Sequence, residues 1–424
     1  MTQSTLPHFR RILLALLTFI TVASTPVLAA ETITLRIGRG WGEASVWEEL
    51  IREFEAEHPN IKVELDEVGW NMEKVVAAHV AGQPYDVVYA VIEQAQAIVK
   101  QGLLRPLDPF LERDRNDPDV IDLLDDIHPN LWNALSFDGS YWYVPYDWND
   151  MVIWYNQRMV AEAGLEPPSP DWTRDDFLTY ARRLTRQVTD GPYADVYGYG
   201  DQGWSAFAVA PWFFTGGGRI LNDAWIRSEL NSPENIETVE FLQSLIWEHG
   251  VLVPPGAPGY SWLSGNVAMI PCGRWCLASV LQTGTADEWA VEFWPRHRER
   301  TTVIGIGGHG VSSTTQYPDE AWEFAKWTAS RLVLGTLSKT IGWTSPVART
   351  SILTSPEFST AITNGSRFLE ALDFVRTVPS PPQFQEMNAI LSETLLAVAR
   401  GEESPGNAVL EMHRRIDAIL TGAE

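Results

Sequence analysis

Cysteine is almost missing from this chain: 424 residues hold two, Cys272 and Cys276. Two thiols cannot build the disulfide scaffold that replaces a core in small secreted domains. Set four apart, they also miss the spacing of a thioredoxin-like redox motif, and no histidine cluster beside them completes a zinc set. A local disulfide, with the chain bending at Gly273, and a pair of buried thiols both remain open. Positive charge is scarce as well. Lys and Arg total 31 against 55 Asp and Glu, a net charge of −24. Such a surface repels phosphate backbones and anionic lipid, so no nucleic-acid or membrane-surface partner is expected. The sequence has no H-E-x-x-H, G-x-S-x-G or Walker pattern, and its eight histidines do not fall at metal spacing. No cofactor, no metal and no enzymatic activity is therefore expected.

Long apolar runs are limited to one. Arg10 and Arg11 precede an apolar stretch from Ile12 to Ala23, and Ala29-Ala30 follow. The stretch is shorter than the ~20 residues a membrane-spanning helix needs. It has the layout of a cleaved secretory signal, residues 1–29, and no cysteine near the cleavage point suggests a lipoprotein anchor. A periplasmic protein is expected, with a net charge of −26 once the two arginines are removed. What remains is too long for a single hydrophobic core, so two domains are the expectation.

Tryptophan, by contrast, is abundant: 19 residues, with 12 tyrosines. Most must fill core, where aromatic side chains dominate. An excess of indole in an exported protein also suits sugar recognition, because pyranose rings present apolar C–H faces that lie flat on it. Along the chain, residues 32–38 alternate as a strand. A helix follows, expected to be capped by Ser45 and Glu48, with Trp47, Leu50, Ile51 and Phe54 on one face. Ile61, Val63 and Leu65 alternate as a second strand, and 85–92 is the continuous apolar run of a buried parallel strand. A helix over 93–101 ends at Gly102. This β-α-β order is that of a doubly wound α/β lobe. Further on, Thr173 and Asp176 cap a helix, Ser232-Pro233 opens another, 266–270 is a short strand, and two amphipathic helices follow Phe384.

Two stretches match G-x-G-x-x-G. Gly198 to Gly203 follows no strong strand and reads as a loop. Gly305 to Gly310 follows a strand but opens no helix and lacks a ribose-binding acid, so it is expected to be a glycine loop where backbone approaches a ligand, or a plain tight turn. Asp147 and Asp150 imitate a glycosidase pair, which keeps a carbohydrate hydrolase as an alternative. A binding protein for a non-sugar solute is the other.

Several segments together resemble one family. Pro84-Tyr85-Asp86-Val87-Val88 with Gly102 to Leu107 is similar to the first lobe of bacterial extracellular solute-binding proteins, the ligand-capture components of ABC importers. Tyr143 to Asp147 with Val152 to Asn156 looks like their first interdomain crossing. Ser264 to Trp275 resembles the strand–Gly-x-Trp segment of the sugar-binding branch, which includes maltose-binding protein, and Gly305 to Ser313 with Pro318 to Phe324 the second crossing. The resemblance implies an α/β fold of two doubly wound lobes joined by a hinge of crossing strands, of the type II periplasmic-binding-protein kind, with a ligand cleft between them. It places the N-terminal lobe at 31–145 plus 305–346 and the C-terminal lobe at 146–304 plus 347–424. The expected function is capture of a carbohydrate by a monomer and delivery to ABC permease subunits. Trp275 is expected to stack on the ligand, with Arg274 beside it. Trp41, Glu43, Asn71, Glu93 and Gln94 are candidates in the first lobe, Tyr146, Asp147, Trp148 and Asn149 at the crossing, and Trp204, Gly217, His309 and Trp343 elsewhere.

Overall fold

Alternating burial sets the first strand. β1 (Ile33–Arg39) buries Leu35 and Ile37 on one face. It lies between two parallel neighbours, β2 (Ile61–Glu67) and β3 (Val87–Val91), and every residue of β3 is buried. The computed structural model describes residues 32–69 and 71–422. The expected signal segment and Trp70 lie outside them. Helix Ala44–Glu57 makes the first crossover and buries Trp47, Leu50, Ile51 and Phe54. Its expected capping box does not form. Gly42, at φ +122°, turns the chain early, the helix starts at Ala44 after Glu43, and Ser45 falls inside the first turn.

A short hairpin, β4 (Ser136–Phe137) and β5 (Ser140–Tyr141), precedes β6 (Val144–Asp150). After Met151 alone, β7 (Val152–Asn156) enters a different sheet, antiparallel to both β8 (Met269–Cys272) and β9 (Trp289–Glu292). The chain then returns through β10 (Thr302–Val311), which pairs antiparallel with β3 and β6 and parallel with β11 (Val375–Thr377). The main sheet is ordered β11-β10-β3-β1-β2, with β6 also on β10. A third segment lies along β6: Trp148 donates its backbone N–H to the Pro346 carbonyl (3.1 Å) and its indole N–H to that of Val347 (2.9 Å).

The expected glycine loop at 305–310 is instead the body of β10. A Cβ at Gly307 would run into the Tyr89 hydroxyl and the Asp147 carboxylate, and one at Gly308 into the Val144 carbonyl. These glycines admit close approach within a sheet, the use of strand glycine that needs no turn.

Burial falls into two clusters. One surrounds the main sheet and takes in Trp47, Trp322 and Trp148; the other gathers Trp172, Trp212 and Trp294 with helices Pro233–Trp247, Phe384–Ala399 and Pro405–Thr421. β7 divides itself between them: Trp154 faces the first, Ile153 and Tyr155 the second, as period-two alternation requires. Helix Arg174–Leu184 carries the Thr173–Asp176 capping box as expected.

Candidate ligand-binding cleft

Strand ends and helix starts converge on one cavity of about 520 Å³, a size ordinary for a small-molecule site. From the main sheet come Val91, Asp147, Trp148, Asn149 and the Gly305–Gly307 stretch of β10, with Glu93 one residue into helix Ile92–Lys100. From the other side come Ser205 and Phe207, at the start of helix Ala206–Thr215, and Trp275. Phe384, Gln385 and Asn388, in the first turns of helix Phe384–Ala399, complete the wall.

Trp275 is presented by a local device. Cys272 and Cys276 are joined in a disulfide, which closes the alternatives left open above. It spans the turn from β8 into helix Cys276–Thr283. Within that loop the Trp275 ring folds back across Gly273, so closely that a Cβ at 273 would lie against the six-membered ring. Only glycine leaves this room. The indole stays 41% exposed, and Phe207 sits 6.1 Å away at 44°. Two tilted rings thus form one apolar wall.

The opposite wall is acidic. Asp147 accepts the Trp41 indole N–H (2.7 Å) and the Tyr89 hydroxyl (3.0 Å). Burial nonetheless raises its pKa to about 6, because those two bonds only partly offset desolvation. Glu93 is pushed to about 7 by burial and, less, by repulsion from Asp147; its own backbone N–H opposes this. Asn149 is fixed by the Arg274 backbone N–H, which donates to its Oδ1 (2.9 Å).

Of the expected contacts, Trp275, Glu93, Asp147, Trp148 and Asn149 line the cavity. The others do not. Tyr146 is fully buried among Trp41, Trp47, Tyr89 and His309, pointing to the core face of β6. Arg274 is fully buried too: it donates to the carbonyls of Trp343 (2.7 Å) and Phe358 (2.5 Å) and lies 3.6 Å over the Phe358 ring. His309 is buried against Tyr89 and Tyr146, beside the Thr328 hydroxyl, and burial lowers its pKa to about 3. Trp343, at φ +63°, contributes its carbonyl to Arg274. Trp41 stands one residue behind the wall, holding Asp147. Glu43 is an exposed helix start, Asn71 caps helix Met72–Val80, and Gln94 is buried next to Glu93 in the same helix. Trp204 belongs to a separate small pocket with Asp201 and Trp212. Gly217 follows the far end of the helix that Ser205 begins, about 15 Å along its axis.

The imitation of a glycosidase pair fails on geometry. Asp147 and Asp150 are three apart on β6, so their side chains leave opposite faces. Asp147 reaches the cavity, while Asp150 is fully buried with neither oxygen hydrogen-bonded. Phe207, Phe384, Gln385 and Asn388 escaped the sequence reading. Ser205 ahead of an apolar run was a usable N-cap signal, and its side chain does accept from Ala208. Nothing local marked the start of the Phe384 helix as a cleft wall.

The family pattern described as bacterial extracellular solute-binding protein matches residues 40–331. A maltotriose-binding protein of Pyrococcus abyssi is 24% identical over 328 residues, 74% of this chain and 66% of that protein. The chain thus spans just under two thirds of that relative's length. A mannitol-binding protein of Pseudomonas aeruginosa is 24% identical over 72% of this chain and 71% of its own. Among solved structures, the sugar-binding protein MalE of Xanthomonas citri superimposes with a TM-score of 0.79 at 20% identity, covering 92% of this chain and 98% of that one. The fold is therefore that of the type II periplasmic binding proteins, two α/β lobes joined by crossing strands. Matched across most of its length by that pattern, the chain belongs to the bacterial extracellular solute-binding protein family.

Proposed function

We propose that this protein captures a carbohydrate in the Trp275 cleft and hands it to the membrane subunits of an ABC importer, returning it chemically unchanged. It works as an exported monomer in the periplasm. Its lobes are residues 31–145 with 305–346 and 146–304 with 347–424, hinged at the three crossings beside β6. A ligand touching both lobes binds the closed arrangement better and shifts the hinge equilibrium toward it.

The observation that carries this reading is Trp275, an indole held out of the core over a glycine in a cavity with two carboxylates and three amides. A pyranose face removes ~40 Å² of apolar surface on such a ring, worth about 1 kcal/mol. Micromolar capture needs about 8 kcal/mol. The polar groups opposite must supply most of the remainder and select the sugar. The test is a thermal-shift and fluorescence screen of oligosaccharides on the purified protein. A carbohydrate should raise the melting temperature, and Trp275→Ala should weaken its binding about tenfold or more. Full affinity in that variant removes Trp275 from the site. Slow release of reducing ends by the wild type refutes simple capture.

A further inference from the structure

The cleft has an electrostatic imbalance that a neutral sugar leaves in place. Glu93 and Asp147 come from different elements, helix Ile92–Lys100 and β6, yet both line the one cavity and repel each other across it. Among the described residues no Lys, Arg or His lines that cavity. No cation contributes to the electrostatics of either group. Glu93 has no side-chain partner in any described hydrogen bond or ion pair; only its own backbone N–H relieves it. The buried guanidinium of Arg274, the neighbour of Trp275, lies outside the cavity lining and donates to the carbonyls of Trp343 and Phe358. The rest of the wall offers the aromatic faces of Phe207 and Trp275, and such faces attract cations.

We propose that the sugar carried here bears a basic nitrogen, an amino sugar whose ammonium sits between the carboxylates of Glu93 and Asp147. This rests on the carbohydrate-capture reading above and names its ligand class. Hydroxyls of a neutral sugar can donate to either carboxylate but leave two like charges enclosed when the lobes close. An ammonium satisfies both acceptors and cancels the repulsion, and closure then removes competing water.

The groups packed around the pair leave the titration to these two acids. Tyr89 and Tyr146 are held well above their ordinary range by burial, so they stay neutral. His309 behind them stays neutral as well, with its pKa lowered to about 3. Arg39, which faces Tyr146, is paired with Glu67. Asp150, on the opposite face of β6, is raised well above the carboxylate range by burial and lies outside the cavity lining. Glu93 and Asp147 are the acids that line the cavity, and an ammonium selects the doubly ionised cleft.

The experiment is calorimetric titration of the full-length mature protein with glucosamine and its di- and trisaccharides, the same sugars N-acetylated, and maltotriose, at pH 5.0 and 7.5. The free amines should bind at least tenfold tighter than their N-acetylated counterparts at pH 7.5, and the preference should shrink at least tenfold at pH 5.0. Glu93→Gln and Asp147→Asn should each bring the ratio of amine to N-acetyl affinity toward one, with folding checked by circular dichroism. Equal or tighter binding of the neutral sugars, without that pH slope, overturns the amine inference and leaves carbohydrate capture standing. Binding of no sugar at either pH, or of spermidine in place of all of them, overturns both.

Discussion

Arg274 shows how a residue adjacent to the cleft wall can shape it without lining it. Its backbone N–H orients Asn149, while its guanidinium ties β8 to the 343–358 segment. Enclosure lowers its pKa to about 9, and the nearby charge of Asp150 works against that. Breaking a buried charge arrangement by removing one member costs about 3–5 kcal/mol, because the remaining groups stay buried and unpaired. Arg274→Ala should therefore lower the unfolding free energy measured in urea by an amount of that order. A variant that melts normally yet loses binding would instead make Arg274 a direct contact.

At the level of the element, the unit that matters is the strand-to-helix turn from Cys272 to Cys276. Glycine at 273 gives the indole its seat, and the disulfide ties the two ends of the turn together. Gly273→Ala should displace the ring and weaken ligand binding at least tenfold while the melting temperature of the free protein falls by only a few degrees. Closing so short a loop is worth about 2 kcal/mol in the chain-entropy account. Cys272→Ser with Cys276→Ser should cost about that much in chemical denaturation and lower affinity as the turn loosens. Unchanged affinity in both variants would detach the turn from ligand capture.

For the whole molecule, the two cleft acids set a pH dependence opposite to that of its surface carboxylates. Glu93 and Asp147 have folded-state pKa values raised from 4.5 to about 7 and from 3.8 to about 6. Between pH 4 and 7 the folded protein thus holds more protons at these sites than the unfolded chain, so their contribution to stability falls as pH rises. For Glu93 it amounts to about 3 kcal/mol at most. Paired carboxylates such as Glu237, lowered to about 2 by Arg298, Arg174 and His297 against the cost of burial, act the other way and lose stability only in stronger acid. The free protein should be most stable in mild acid, near pH 5. The wild-type curve should approach that of Glu93→Gln below pH 5 and fall beneath it above pH 7. A flat difference between the two curves would mean that Glu93 is not buried as described.

Periodicity and turn chemistry made the β1–β3 core, the Thr173 cap and the tail helices legible from sequence, since each depends on neighbours within one or two turns. Trp275 was marked by the resemblance of the Gly-x-Trp stretch to a family segment, together with its place at the opening of a helix. Which face of a strand turns inward is not local. Tyr146, Arg274 and His309 carried the chemistry of ligand contacts, and packing against residues far off in sequence put all three inside. The 305–310 glycines pointed to a loop, and only the approach of Tyr89 and Asp147 makes them strand. Phe207 and Phe384 lie 177 residues apart and meet at one cleft. The sequence therefore determined the elements and, through the family resemblance, one wall residue of the cleft. Tertiary structure decided the rest, because a cavity between lobes is a property of surfaces brought together by the fold.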